Sequence, residues 1–576
     1  MENREMIIAD GISAAIAPDT TIDVKCAELN GAMLYTITVD GDLSELAVTV
    51  SCPASEAAGR WYPAANQYAR GVMQTWNSTK ETAFMYGAPI YSYYSQDDAN
   101  LLCTAMYDSF TTYRICSGID EPSQRIVVKF LPQLGKNSHT ELRLYVDRTR
   151  RKWYESVQSA TQWWYAGRQS PVPECAYDPV YSTWYAFQRD IDADSIIAQC
   201  RAAYKFGCRT LIIDDGWATP RGTISYNDSG DWKPNRERFP NFKGFVDEIH
   251  SIGMKALLWV APGLSGYASA SHRLYDGKFL SDSDKLMYSV LDPRYPDVRA
   301  ALCQDVCRLV EVYGFDGVKI DFIDSIRGAD CEPDAQRDIG SVSEVLRELL
   351  QSIHTRLTSI RPDVMIEYRQ NYCGPDVALN ANIMRSADCA QDYLTNRINT
   401  LDLRLYTKGA VHSDMIQFIY GDTPESTALQ LVNVLFATPQ ISPRFERLSA
   451  EQLDVIRFWL NFMSEKRELL QRSSFELSRC YANYPVVTVR NEHERLSALY
   501  AEQTLVLDKA CERAYAVNAA GRAPIYLGSR EPYQAAYRCI DCKGVETESG
   551  KILLDENPRA IPVPFCGMVI LEALGN

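Results

Sequence analysis

An α/β fold is predicted for this chain: a central (β/α)8 TIM barrel flanked by an N-terminal antiparallel β-sandwich and a small C-terminal β-sandwich. Three observations predict it. The stretch Tyr313-Gly-Phe-Asp-Gly-Val-Lys-Ile-Asp-Phe-Ile-Asp324 is an apolar, β-branched run ending in Lys319 and Asp321. A buried parallel strand reads this way when it delivers charge to its C-terminal mouth. Leu211-Ile-Ile-Asp-Asp-Gly-Trp217 has the same form, and Ile383-Met-Arg-Ser-Ala-Asp388 brings a further carboxylate. From about residue 177, strand-like runs alternate with amphipathic helical ones, which signals βα units and a parallel sheet.

Residues 1–175 read as the N-terminal sandwich. Met33–Val39, Leu46–Ser51, Arg125–Phe130 and Glu141–Val146 alternate in polarity or are β-branched, with Gly-, Asp- and Asn-rich turns between them. A Trp- and Tyr-rich helix near Trp153–Trp164 follows, closed by Pro171-Val-Pro173. The barrel is placed at 176–472. Its strands are read at Val180–Trp184, Thr210–Asp214, Lys255–Val260, Gly317–Asp321, Val364–Glu367, Ala381–Arg385, Ala410–Ile416 and Leu435–Ile441. Eight strands in roughly 280 residues is the size of such a barrel. Val342–His354 keeps its apolar residues on one stripe and reads as the helix between strands four and five. Short strands then return, as in Tyr484–Val489 and Gly567–Leu571, and 473–576 is read as the C-terminal sandwich.

The net charge of −15 argues against nucleic acid and anionic membranes as partners. No run of about 18 apolar residues predicts a membrane span. The start, Met1-Glu-Asn-Arg-Glu-Met-Ile-Ile, lacks the basic-then-apolar pattern of a signal peptide. Many of the 17 cysteines, such as Cys200, Cys303 and Cys307, sit in apolar patterns, as reduced buried thiols do, and a cytoplasmic location is expected. Cys539-Ile-Asp-Cys542 has metal-ligand spacing but no second pair or nearby histidines, and is read as incidental to a β-hairpin. No metal and no cofactor is expected, because neither clustered ligands nor a nucleotide fingerprint is present. The 34 Tyr and 10 Trp suit stacking on sugar faces and equally suit large β-domain cores.

Three strand ends carrying acids, with one Lys and one Arg among them, point to a sugar-cleaving site. Cleavage with retention needs a carboxylate nucleophile and a carboxylic acid donor, roughly 5–5.5 Å apart in most such enzymes. Asp321, ending the fourth strand, and Asp388, just past the sixth, are placed to approach across the mouth. Lys319 points the same way as Asp321 from a strand. There it either bonds sugar hydroxyls and keeps Asp321 ionised or forms a structural ion pair with it. Asp392 rivals Asp388, and Asp214 and Asp215 either bind substrate or cap the following segment.

A series of motifs runs in order from about Trp184 to Leu470: Asp214-Asp-Gly-Trp217, Gly230-Asp-Trp232, Arg238-Phe-Pro240, Gly253-Met-Lys255 with Leu258-Trp259, and Leu291-Asp292 through Val298-Arg299. Lys319-Ile-Asp321, Ser386-Ala-Asp388, Gly409-Ala-Val-His-Ser413 and Leu448-Ser-Ala-Glu451 continue it. In these motifs and their order the chain resembles the α-galactosidase-type enzymes of glycoside hydrolase family 36 and, more loosely, family 27. The resemblance implies that Asp321 is the nucleophile and Asp388 the acid/base. It further implies that Asp214 and Asp215 accept from O4 and O6, that Lys319 and Arg385 hold other hydroxyls, and that Trp259 is an apolar wall. It also implies oligosaccharide or glycoconjugate substrates and a possible homo-oligomer in which an N-terminal domain reaches a neighbour's site. The Tyr-rich loop Met85–Tyr94 is placed either to do that or to pack internally.

Two departures bear on substrate. Trp259-Val-Ala-Pro-Gly263 lacks both acids of the family's Trp-x-Glu-Pro-Glu, and Glu367-Tyr-Arg-Gln-Asn-Tyr-Cys-Gly-Pro375 puts Arg369, Gln370 and Asn371 where small residues are usual. Arg369 and Asn371 are therefore expected to bind substrate and to read a substituent or an unusual hydroxyl pattern, with Arg369 pairing to a neighbouring carboxylate as the alternative. The leading reading is a retaining α-glycosidase that hydrolyses terminal α-galactosidic or closely related linkages through a covalent glycosyl-aspartate. The alternatives are an α-N-acetylgalactosaminidase or transglycosylase on the same scaffold, or a non-catalytic carbohydrate-binding protein on a degenerate barrel.

Overall fold

The structure, a computed structural model, describes residues 4–63, 70–107, 110–135, 138–223, 225–507, 511–521 and 524–574. Met1, Glu2 and Asn3, part of the segment read for a signal peptide, lie outside the described residues. Two six-stranded antiparallel sheets open the chain. In Arg125–Pro132 every second residue is buried, so Ile126, Val128 and Phe130 face Ile37, Val39, Leu142 and Leu144 of the opposite sheet. The helix Trp153–Tyr165 follows, and its Trp153 ring meets Trp61 at 6.2 Å and Tyr94 at 5.2 Å. These contacts place much of the aromatic surplus in packing. Tyr91, Tyr93 and Tyr94 of the Tyr-rich loop are buried within the same chain.

The barrel strands, labelled β1 to β8, are Val180–Ser182, Thr210–Ile213, Lys255–Val260, Gly317–Ile320, Met365–Arg369, Ile383–Arg385, Ala410–His412 and Gln440–Ile441. They pair in parallel in chain order. β8 returns to β1 through Val180↔Gln440 and Tyr181↔Ile441, and single bridges, His412↔Thr438 and Ile416↔Ile441, link β7 to β8.

Several elements differ from expectation. β1 stops at Ser182, and Trp184 opens a short helix to Phe187. β7 stops at His412, and β8 is two residues rather than the run from Leu435. Leu435–Thr438 is apolar because it turns off the end of the helix Pro424–Asn433, with Ala437 N donating to Val434 O at 3.0 Å. The helix after β4 runs from Val342 to Ile360, two turns beyond His354. The loop after β3 carries a small antiparallel sheet of Leu264–Gly266, Phe279–Ser283 and Tyr288–Leu291. It packs Tyr288 on Tyr226, which in turn meets Phe322 beside the mouth at 5.1 Å.

Beyond the barrel lie a seven-stranded and a three-stranded sheet. Cys539 and Cys542 are buried free thiols there, and no metal-holding group of His, Cys, Asp or Glu occurs among the described residues. Asp402, buried on the helix Tyr393–Tyr406, ties the three parts together. It accepts from Trp61 Nε1 at 3.0 Å and Tyr484 hydroxyl at 2.5 Å and pairs with the guanidinium of Arg70. Among the described residues no helix is long and apolar enough to cross a membrane.

Candidate active site

The β-ladders bring charge to one end of the barrel. β3 and β4 place Trp259 beside Lys319, β4 and β5 place Lys319 beside Glu367, and β5 and β6 place Arg369 beside Arg385. Asp321 follows directly on β4, and its N–H donates to Val260 O at 2.8 Å, so the last turn of the ladder aims it. Its carboxylate accepts from Trp259 Nε1 at 3.1 Å on one oxygen. The other oxygen accepts from Tyr372 hydroxyl at 2.7 Å, Arg369 Nε at 2.8 Å and its neighbour Phe322 N at 2.8 Å. Burial pushes the Asp321 pKa up, but Arg369, Lys319 and these bonds outweigh it and hold the group well below the usual carboxylate range. Asp321 is thus ionised, with 13% of its side chain exposed.

Asp388 lies three residues past β6 with a more exposed side chain. Arg385 Nη2 donates to it at 3.0 Å, and the far end of Arg369, Nη1, reaches it at 3.4 Å. Burial raises its pKa, and Arg385, Arg369 and Lys319 together bring it below its ordinary value. One guanidinium therefore spans the gap between the two carboxylates. Asp392 is the N-cap of the helix Tyr393–Tyr406, accepting from Thr395 N at 2.9 Å, and so has a structural partner of its own.

The paired acids after β2 are both neutralised. Lys319 Nζ donates to Asp214 at 2.6 Å, so its direct ion pair is with Asp214 and not Asp321. Arg189 Nε donates to Asp215 at 2.6 Å while its guanidinium lies 4.2 Å from the Tyr226 ring. Burial raises the Asp215 pKa to about 6, partly opposed by Arg189 and reinforced by Asp214. Arg385 is almost fully buried and is held by Asp414, which also accepts from Cys389 N at 2.7 Å. Beneath it Glu367 accepts from Gln440 Nε2 at 2.6 Å and meets His412 Nδ1 at 3.0 Å. Trp217 and Trp232 are buried. Trp217 donates to Trp259 O at 2.9 Å, and Trp232 meets the Trp259 ring edge-on at 5.9 Å, so both hold Trp259 in place.

Asp321, Asp388, Arg369, Arg385 and Trp259 thus share one hydrogen-bonded network. Lys319 and Asp214 form a separate pair that acts on both carboxylates through the Lys319 charge, and Asp215 N donates to Asp214. Asn371 joins neither. Its side chain is exposed and lines a cleft against the N-terminal sandwich, because the loop turns Tyr372 inward and Asn371 away. Tyr372, Arg189 and Gln440 were not singled out from the sequence. Tyr372 was within reach, three residues from Arg369 in the departing segment. Arg189 sits in a loop with no strand-end signal.

Residues 174–379 match the family model described as Melibiase. Among curated proteins, the chain is 30% identical over 171 residues to an A type blood α-D-galactosamine galactosaminidase of Flavonifractor plautii, covering 26% of this chain and 15% of that protein. It is 25% identical over 199 residues to α-galactosidase AgaA of Geobacillus stearothermophilus, covering 32% of this chain and 25% of that one. The aligned part is therefore a quarter or less of these relatives' length. Among solved structures, the α-galactosidase of Lactobacillus brevis superposes with TM-score 0.67 at 12% identity over 100% of this chain and 83% of that one. AgaA in complex with raffinose superposes with TM-score 0.66 at 14% identity, over 98% of this chain and 81% of that one. At such identity the likeness is one of fold.

Proposed function

We propose, for a chain that belongs to the melibiase family as a divergent α-galactosidase-like member, that it is a retaining glycoside hydrolase acting on terminal α-galactosidic or closely related linkages. The observation that carries this reading is the pair Asp321 and Asp388, brought to one mouth by β4 and β6 and linked by one guanidinium. Asp321, ionised and buttressed by Trp259 and Tyr372, attacks the anomeric carbon. The glycosidic C–O bond breaks as Asp388 gives its proton to the leaving oxygen, and a glycosyl-aspartate forms. Asp388 then takes a proton from water, or from a sugar acceptor, whose oxygen displaces Asp321. Lys319, Asp214, Asp215 and Arg385 hold the ring hydroxyls against Trp259.

Arg369 gives this site a particular order of events. In the free enzyme it occupies the gap where the anomeric centre must lie, and it lowers the pKa of the proton donor. A bound sugar displaces it. Asp388 then loses one of its cations, its pKa rises, and the protonated form needed for the first step is populated. Binding thereby readies the acid.

The same displacement supports a second reading, an α-N-acetylgalactosaminidase. A guanidinium displaced from Asp321 loses a strong acceptor, and a sugar bearing an accepting group such as an N-acetyl carbonyl supplies a replacement. The test is release of aryl leaving group from α-linked galactose, N-acetylgalactosamine and glucose, with Asp321→Asn as control. Turnover of either galactose-type sugar and a dead variant support the reading. No turnover, together with no covalent adduct from activated fluorosugars, sinks it in favour of a carbohydrate-binding protein.

A further inference from the structure

A cleft of about 410 Å³ lies where the three parts of the chain meet, at the end of the barrel opposite the mouth. Tyr177, just before β1, and Gly409, just before β7, mark that end. Glu155 and Gln158 line the cleft from the helix Trp153–Tyr165, and Ser474 and Phe475 from the strand Ser474–Leu477 that opens the C-terminal sheets. The volume falls in the range of small-molecule sites, roughly 300–1,000 Å³.

The charge of the walls says what fits. Arg404, Lys408, Arg472 and Arg490 line the cleft with only Glu155 and Glu476 to offset them. Both acids are already engaged. Glu476 meets Arg490 Nε at 2.8 Å, and Glu155 accepts from Lys152 N at 3.3 Å in the capping box of its helix. Arg472 pairs with Glu174 at 2.7 Å and Glu468 at 2.9 Å. Arg404 and Lys408 are left without a carboxylate. Arg404 stacks on the Phe475 ring at 4.3 Å and donates to the carbonyls of Phe436 at 3.2 Å, of Ser473 at 3.3 Å and of Leu470. Its Nε and one Nη2 hydrogen have no acceptor among the described residues. Lys408 Nζ lies 5.9 Å from the Tyr165 ring and has no ion pair or hydrogen bond among the described residues. Burial lowers the pKa of both cations, that of Arg404 to about 9. A desolvated cation normally has a counter-charge. A guanidinium fork beside a point-like ammonium suits the oxygens of a phosphate group.

We propose that this cleft binds a small phosphate-bearing anion, held by Arg404 and Lys408. The cleft lies at the other end of the barrel from Asp321 and Asp388, so the proposal stands or falls independently of the glycosidase reading. The probes are inorganic phosphate and glucose 6-phosphate, titrated calorimetrically into the full chain at an ionic strength held constant with chloride. The expected result is saturable binding of one equivalent of either probe, about tenfold weaker in Lys408→Ala and restored in Lys408→Arg. Lys408 is part-exposed and makes no hydrogen bond through its side chain, so neither variant is expected to disturb folding. Binding of inorganic phosphate shows that the free ion suffices, and binding of glucose 6-phosphate alone shows that the sugar portion is needed to fill the cleft. A guest there touches all three parts of the chain, so the bound probe is also expected to raise the unfolding temperature of the native protein and not that of Lys408→Ala. No saturable binding of either probe, binding indifferent to Lys408→Ala, or full replacement of the effect by chloride overturns the proposal.

Discussion

Arg369 Nε donates to Asp321 Oδ1 at 2.8 Å, and the other end of the same guanidinium reaches Asp388 at 3.4 Å. In the proposed mechanism this one side chain sets the ionisation of both carboxylates. Arg369→Ala removes a cation from each, so both pKa values rise. The acidic limb of the rate profile follows the nucleophile, which must be ionised, and the alkaline limb follows the donor, which must be protonated. Both limbs are expected to move to higher pH in the variant, with altered relative rates across the sugar panel. A kcat/KM profile at the same pH as the native protein's, with unchanged sugar preference, would leave Arg369 a structural partner only.

Asp388 and Asp392 are separated by leaving-group dependence. Asp388→Ala should lose about 10²–10⁴-fold in rate on sugars with poor leaving groups and far less on glycosyl fluorides, which need no protonation. Asp392→Ala should cost about 1 kcal/mol of stability as a lost N-cap and leave the rate ratio between the two substrate types unchanged. The reverse pattern assigns the proton donor to Asp392.

The fold was legible where apolar, β-branched runs led into charged residues. Asp214 directly follows β2, Trp259 is the penultimate residue of β3, Asp321 directly follows β4 and Arg385 ends β6, and each had been singled out. β7 and β8 lie where they were read but are shorter, because the apolar residues that follow β7 and precede β8 belong to connecting turns that mimic a strand. At the site, the residues at strand ends were visible because strand direction dictates where they point. Tyr372 and Asn371, adjacent on one loop, face opposite ways for a reason outside the local sequence: the Tyr86 backbone holds the loop from the other domain. Arg189 escaped notice similarly, since the ring that steadies its guanidinium beside Asp215 belongs to Tyr226, distant in sequence.

Asp215 joins stability to pH. Its carboxyl titrates at about 6 in the fold against an ordinary 3.8, because burial outweighs Arg189. The folded state therefore holds the proton more tightly than the unfolded chain. That contribution is fully present below about pH 4 and is lost as pH rises through 6. Asp215→Asn removes the dependence, and its Oδ1 still accepts from Arg189. Relative to the native chain, the variant should gain stability between pH 4 and 6 and hold the gain above, by at most about 3 kcal/mol. Thermal unfolding of both proteins at pH 4, 6 and 8 reads this directly. A variant that weakens as pH rises shows the Arg189 pair to outweigh burial. If Asp215 also holds a sugar hydroxyl, this stabilised variant loses activity.

Asp402 is a test of how the three parts cohere. Its carboxylate is fully buried and meets Arg70 and Trp61 of the sandwich and Tyr484 beyond the barrel. Asp402→Ala leaves the Arg70 guanidinium buried without its counter-charge, at a cost of about 3–5 kcal/mol. Arg70→Met in the same chain removes the stranded charge, so the double variant should recover a large part of the loss, a coupling that a double-mutant cycle measures. Additive losses in denaturant unfolding would show that the pair contributes little and that Trp61 and Tyr484 hold the junction.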